Sequence, residues 1–470
     1  MSSSATPTIF WHDYETFGAN PAKDRPSQFA GIRTDHDLNI IGEPETFYCK
    51  LANDYLPSPE AILITGITPQ LANLKGIPEA EFIGKIHTLF SQANTCVAGY
   101  NSIRFDDEVS RYSFYRNFYD PYAREWQQGN SRWDIIDLVR ACYAFRPEGI
   151  VWPQKEDGSP SFKLEHLTQA NGLSHEKAHD AMSDVYATID MAKLIKEKQP
   201  KLFDYFFGLR KKQEVSKLID VLNMQPLVHV SSKISSLNGC TSIIAPVAHH
   251  STNKNAIICV NLAMDISPLI ELDVEQIRER MFTRRADLAP DELPISVKQV
   301  HINKCPFIAS TKILTDENAQ RLDIDKAFAR EQYKLLKQHP ELREKLVSVF
   351  DVEYESSSTD PDLQLYSGGF FSSADKAKME IIRHTLPQNL PALELQFDDS
   401  RLAEMLFRYR GRNYPEFFDE SESMKWREFC QSRLNDPDYM FKLENLVNET
   451  SQSEDKQKLL TALCHYLSNL

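Results

Sequence analysis

Near the N-terminus, TIFWHDYETFG (residues 8–18) sets Asp13 and Glu15 two positions apart at the end of an apolar run. Thr8, Ile9, Phe10 and Trp11 favour a short buried strand, and Gly18 with Asn20-Pro21 marks its exit. Strand side chains alternate with a period of two, so both carboxylates point to one side and can share a ligand. Two close carboxylates repel when both are ionised. A divalent cation removes that cost, and hard oxygen ligands suit Mg2+ or Mn2+. Acid-x-acid triplets also arise by chance, so other positions must decide. Asp106 follows GYNSIRF, at a strand-to-helix turn where a third carboxylate can face the first two. The run Asp106-Asp107-Glu108 equally suits the positive end of a helix dipole. His179 and Asp184 stand five residues apart, and on one unbroken helix they would diverge by about 140°. They converge only if the helix starts after His179.

The elements that must position these groups alternate over residues 1–200, which suggests an α/β or α+β sheet. GIRTDHDLNIIGEPETFYCKL predicts one or two further strands, and EAEFIGKIHTLFSQ (79–92) has helical spacing of its apolar residues. TCVAGY predicts a strand before the acid-bearing helix, a second helix covers about 131–145, and a long helix follows His179. Beyond 201, a helical bridge leads into the β-rich runs LVHVSS, TSIIAPVA, NAIICVNLA and ISVKQVHIN. These suggest a small barrel or sandwich, with LDVEQIRERMF as an inserted helix capped by Asp273. More helix runs to about 350, EYESSSTDPD (353–362) is polar enough for a linker, and 363–470 is mostly helical. The expected domains are therefore 1–200, 201–352 and 363–470, joined through 353–362.

A net charge of −14 argues against a protein that coats nucleic acid, although a groove can still be locally positive. The eight cysteines are scattered without a C-x-x-C pair, as expected of reduced, buried thiols in a cytoplasmic protein. No apolar run approaches the roughly 18 residues of a membrane span, and no secretory signal is expected of MSSSATPTIF.

The order Asp-x-Glu, a distant Asp, then His-x-x-x-x-Asp resembles the histidine-containing branch of the DEDD 3′→5′ exonuclease superfamily. WHDYETFG, GYNSIRFDDEVSRYSFYRNFYDPY, SRWDIIDLVRACYAFRPEGI, SFKLEHLTQANG and AHDAMSDVYATI narrow the resemblance to the bacterial exonuclease I family. PLVHVSS, DISPLIELD, HINKCP and the Gly-Phe-Phe stretch near 369–371 extend it over essentially the whole chain. It implies a ribonuclease H-like α/β exonuclease domain with a central mixed sheet, then an SH3-like β-barrel, then a helical domain. It also implies that Asp13, Glu15, Asp106 and Asp184 hold two Mg2+ ions, with Mn2+ a substitute, and that His179 is the general base. The expected activity is processive 3′→5′ degradation of single-stranded DNA to 5′-mononucleotides, by a monomer serving DNA repair and recombination.

A single strand needs phosphate neutralisation and aromatic faces for its bases. The stretch 104–163 interleaves both, with Phe17 and Phe105 beside the acids. The resemblance raises Arg111, Tyr122, Trp126, Arg140 and Lys163 to expected DNA contacts, together with Glu15. A second basic-aromatic run, FRYRGRNYPEFF (407–418), is either helix surface and core or a cover over the strand. The acidic tail of single-stranded DNA-binding protein is the expected partner of the middle domain, with Arg146, Lys326 and Lys337 as its basic anchors. Two rival readings remain. An exoribonuclease of the same superfamily would share the catalytic set, since a pocket's shape discriminates the 2′-OH. The long extension after 200 favours the DNA enzyme. A non-catalytic scaffold on a dead nuclease fold is disfavoured by five intact active-site residues.

Overall fold

Strand β1, Thr8–Thr16, is longer than its apolar start and carries both Asp13 and Glu15 within it. It pairs antiparallel with β2, Pro26–Thr34, which pairs antiparallel with β3, Glu45–Tyr48. On its other side β1 pairs parallel with β4, Thr95–Gly99, so the sheet is mixed. The structure is a computed structural model that describes residues 6–174, 180–289, 292–352 and 358–470. The chain forms two compact units that interrupt one another in sequence: 1–131 with 175–188 and 355–470, and 132–174 with 189–354.

In the first unit, alternation along β1 sends Phe10 and Tyr14 into a core with Phe29, Phe82, Ile83, Ile86 and Phe90. Each buried aromatic of this kind stabilises the fold by roughly 1.5–3 kcal/mol, which fixes the register of β1 and so the side on which its acids emerge. The helix Glu79–Phe90 supplies the last four, close to its expected span. At the end of β4 the chain turns sharply. A Cβ on Gly99 would lie 2.8 Å from Ser102 Cβ and 3.0 Å from the His12 carbonyl, so only glycine allows this approach. The turn leads to the helix Asp106–Arg116.

The helix expected over about 131–145 proves to be strand β5, Ser131–Asp134, followed by the helix Ile136–Phe145. All four residues of β5 are buried, so no polar–apolar alternation marked it. Residues 363–470 are helical as expected, but they share cores with the nuclease residues instead of standing apart. Phe17, Tyr55 and Ile62 pack with Tyr439, Leu443, Leu460 and Leu463. Tyr112, Tyr115 and Phe118 pack with Leu365, Met379, Ile382, Leu402 and Tyr409. The described end of 353–362 carries ion pairs. Asp360 pairs with Arg408 and Arg433, and buried Asp362 pairs with Arg408 and Arg412. FRYRGRNYPEFF is correspondingly internal: Arg408, Arg410 and Arg412 are held by Asp360, Asp362, Glu422 and Asp54.

The second unit holds an antiparallel sheet in the order β10-β6-β7-β8-β9. Its strands are β6, Leu227–Val230; β7, Thr241–His249; β8, Ala256–Asn261; β9, Val297–His301; and β10, Phe307–Ser310. The first four fall on the expected β-rich runs, while β10 gave too short a signal. Asp273 caps the helix Val274–Phe282 in a reciprocal capping box with Gln276. All eight thiols are free and seven are buried, Cys464 being exposed. Among the described residues, no helix is long and apolar enough to cross a membrane.

Candidate active site

Asp13, Glu15 and Asp184 each offer a carboxylate oxygen within 4.8 Å of the others. The strand pleat accounts for the first pair, since Tyr14 between them points into the core and its hydroxyl meets Ser110 Oγ at 3.0 Å. Asp184 joins because the long helix begins at Ala181, leaving Asp184 in its first turn. Asp180 starts that helix, its carboxylate accepting the Ser183 N–H at 3.3 Å as an N-cap does. The helix therefore starts after position 179, the condition the sequence spacing required. His179 itself lies outside the described residues. Asp106 is tied to the same strand: its Oδ1 accepts the Tyr14 backbone N–H at 3.2 Å.

The electrostatics follow from this crowding. Burial first, then Asp106, Glu15 and Asp184, push the Asp13 carboxyl well above its ordinary range. Burial first, then Asp184, Asp106 and Asp180, push Glu15 up to about 8. Carboxylates that raise one another in this way fit a cation, which replaces repulsion by attraction. His12, adjacent in sequence, is no candidate base. Its Nδ1 lies 3.0 Å from the Ala98 carbonyl oxygen, and burial lowers it to about 4, too weak a base to take a proton from water near neutrality.

The acidic run divides its labour. Asp106 accepts from the Tyr14 backbone and raises Asp13 and Glu15, Asp107 pairs with buried Arg124 at 2.6 Å, and Glu108 pairs with Arg111 at 2.8 Å. The last two are structural, and only the tertiary structure separates them from Asp106.

The expected substrate contacts lie in different settings. Trp126 is 67% exposed and open to a stacking base. Tyr122 carries the Arg111 guanidinium over its ring at 5.2 Å. Phe105 packs at the edge of the sheet core. Phe17, at 1% exposure, belongs to the core shared with the C-terminal helices. Arg111 is buried and engaged by Glu125 and Glu108. In the other unit, Arg140 pairs with Asp137 at 2.7 Å, while Lys163 is exposed and 3.4 Å from Glu165. Arg146 lines a cavity of about 660 Å³ with Lys201, Leu202 and Tyr205. Lys326 lines a different one of about 600 Å³ and pairs with Asp316 at 2.6 Å, and Lys337 donates to the Asn223 carbonyl at 3.3 Å. The three expected anchors therefore do not share one cavity. Sequence reasoning missed Tyr366, whose hydroxyl donates to Glu108 and accepts from Arg111, because nothing local links position 366 to the acidic helix.

A converging set of acids on a mixed sheet, with an exonuclease family match over residues 10–192, places the chain in the class of metal-dependent exonucleases. The sequence matches the exonuclease family over residues 10–192, the exonuclease I SH3-like domain over 210–352 and the exonuclease I C-terminal domain over 359–470. It is 53% identical to exodeoxyribonuclease I of Escherichia coli (strain K12) over 468 residues, covering 98% of each chain. The crystal structure of E. coli exonuclease I with a dA16 oligonucleotide superposes with a TM-score of 0.96 at 52% identity, covering 99% of this chain and 100% of that one. The zinc-bound form of the E. coli exonuclease I–single-stranded DNA complex gives a TM-score of 0.95 at 52% identity, with 99% of each chain covered. This chain belongs to the exodeoxyribonuclease I family.

Proposed function

We propose that the chain degrades single-stranded DNA processively from the 3′ end, releasing 5′-mononucleotides, in cytoplasmic DNA repair and recombination. The observation that carries this reading is the convergence of Asp13, Glu15 and Asp184, with Asp106 tied to the same strand. Those four residues would hold two Mg2+ ions, with Mn2+ a substitute. When bound, the ions acidify the attacking water and offset charge on the phosphoryl and leaving oxygens. His179 takes the proton of the attacking water, a task suited to an imidazole that titrates near neutrality. Trp126 and Tyr122 supply aromatic faces to the bases, and Arg140 and Lys163 supply charge to the phosphates. The acidic tail of single-stranded DNA-binding protein would dock on the middle domain, with Arg146 beside Lys201 as its most suitable anchor. The protein acts as a monomer.

The test is hydrolysis of end-labelled single-stranded DNA in Mg2+, against an RNA control and an EDTA control. Mononucleotide release from DNA alone, abolished by EDTA, is expected. His179→Ala should lower the rate by roughly two to four orders of magnitude and remove the neutral-range limb of the pH–rate profile. Preferred cleavage of RNA, or activity that survives EDTA, would overturn the reading.

A further inference from the structure

Tyr14 stands between the acids Asp13 and Glu15, and the pleat turns its ring away from them into a core with Phe10, Phe29, Phe82 and Phe90. Packing there needs only a ring, and Phe29 meets it edge-on at 5.0 Å between centroids. The phenol adds a hydroxyl, which costs free energy in such a core unless it is hydrogen-bonded. The bond it makes, 3.0 Å to Ser110 Oγ, pairs two buried hydroxyls and joins β1 to the helix Asp106–Arg116.

Ser110 lies four residues after Asp106, one turn along the same face of that helix. Asp106 in turn accepts the Tyr14 backbone N–H on its Oδ1 at 3.2 Å. One residue of β1 therefore holds the helix at two points, spaced along the axis by about 6 Å. A single bond is a pivot, and the second removes the swing about it. Asp106 is the first residue of the helix, so any swing or slide moves its carboxylate directly against Asp13 and Glu15. Misplacing a group in an active site by about 1 Å can cost about 10²-fold in rate. We propose that Tyr14 and Ser110 are positioning residues, whose shared hydrogen bond sets the place of Asp106 beside Asp13 and Glu15 and so the affinity of these acids for a divalent cation. This rests on the metal reading above.

The test is Mn2+ binding by the full-length protein without DNA, read from the loss of the free-ion EPR signal. Wild type is compared with Tyr14→Phe, Ser110→Ala and the double variant. Each single variant should raise the Mn2+ Kd by about fivefold, the effect of losing one hydrogen bond. The double variant should stay near the same value instead of reaching about 25-fold, because both substitutions remove one bond. Melting temperature in EDTA is read alongside. A lower melting temperature with an unchanged Mn2+ Kd would make the pair merely structural and overturn the proposal. Effects that multiply in the double variant would overturn it too, since the hydroxyls would then act separately. If Ser110→Ala does not fold, Tyr14→Phe, which keeps its ring among the phenylalanines, decides alone through its Kd. A wild-type protein that takes up no Mn2+ defeats the metal reading itself, whereas binding wild type with unaltered variants defeats only the role given to Tyr14 and Ser110.

Discussion

Two sets of acids sit in the same compact unit and are shifted in opposite directions from their ordinary values. Around β1, Asp13 and Glu15 are raised because the groups acting on them, beyond burial, are other carboxylates. At the join with the C-terminal helices, burial also pushes Asp54 and Asp362 upward, yet both end below their ordinary values. Arg412 and Arg25 outweigh burial at Asp54, and Arg412 and Arg408 do so at Asp362. Arg412 touches both acids, at 2.8 Å and 2.5 Å. Burial alone therefore does not mark a functional carboxylate. What distinguishes the two sets is whether the fold supplies its own cations or leaves that place for a ligand.

Breaking the first set has the largest expected effect. Asp184→Ala should lower turnover by about 10³-fold or more, because charge stabilisation at phosphorus is lost. The melting temperature in EDTA should hold or rise, since one repelling charge is gone. Near-normal hydrolysis in Mg2+ would end the metal assignment. Asp362→Ala is the mirror experiment. It leaves Arg412 and Arg408 with one buried partner fewer and should cost about 3–5 kcal/mol, read as a lower melting temperature. The folded variant should keep its turnover per molecule, and a selective loss of rate with no loss of stability would blur the comparison.

The pH response sharpens it further. Glu15 has an ordinary value of 4.5 and a folded value of about 8, so its contribution to stability is full below the former. That contribution is lost as pH rises through the latter. In EDTA the melting temperature should fall between about pH 5 and pH 8 for this reason, and saturating Mg2+ should flatten the fall. Asp54 and Asp362 are lowered, so their contribution is present above 3.8 and lost only as pH drops below it. A melting curve in EDTA that is level from pH 5 to 8 would contradict the repulsion inferred for the first set. The smallest effect belongs to Asp360→Asn. Its side chain is 23% exposed, so solvent already screens its pairs with Arg408 and Arg433, and a cost of about 1 kcal/mol is expected from thermal melting.

Much of the site was legible in the sequence because it depends on local geometry. A strand places Asp13 and Glu15 on one side whatever surrounds it, and helix initiation after position 179 brings Asp184 round in its first turn. The apolar alternation of β1 fixes its register against β2, and four of the five strands of the second unit follow from short β-branched runs. The family likewise follows from motifs spread along the whole chain.

Other assignments depended on partners remote in sequence. Asp106, Asp107 and Glu108 are equivalent as a string, and only the places of Tyr14, Arg124 and Arg111 give them different work. Phe17 packs against helices some 400 residues downstream, a setting that nothing near it in sequence announces. The arginines of FRYRGRNYPEFF and the acids of TDPD each resemble solvated charge when read alone. Together they form the buried join between the exonuclease region and the C-terminal helices. Backbone periodicity is a short-range property that sequence carries. Charge pairing is a property of neighbours in space, and folding decides which carboxylate meets an arginine and which is left facing another carboxylate.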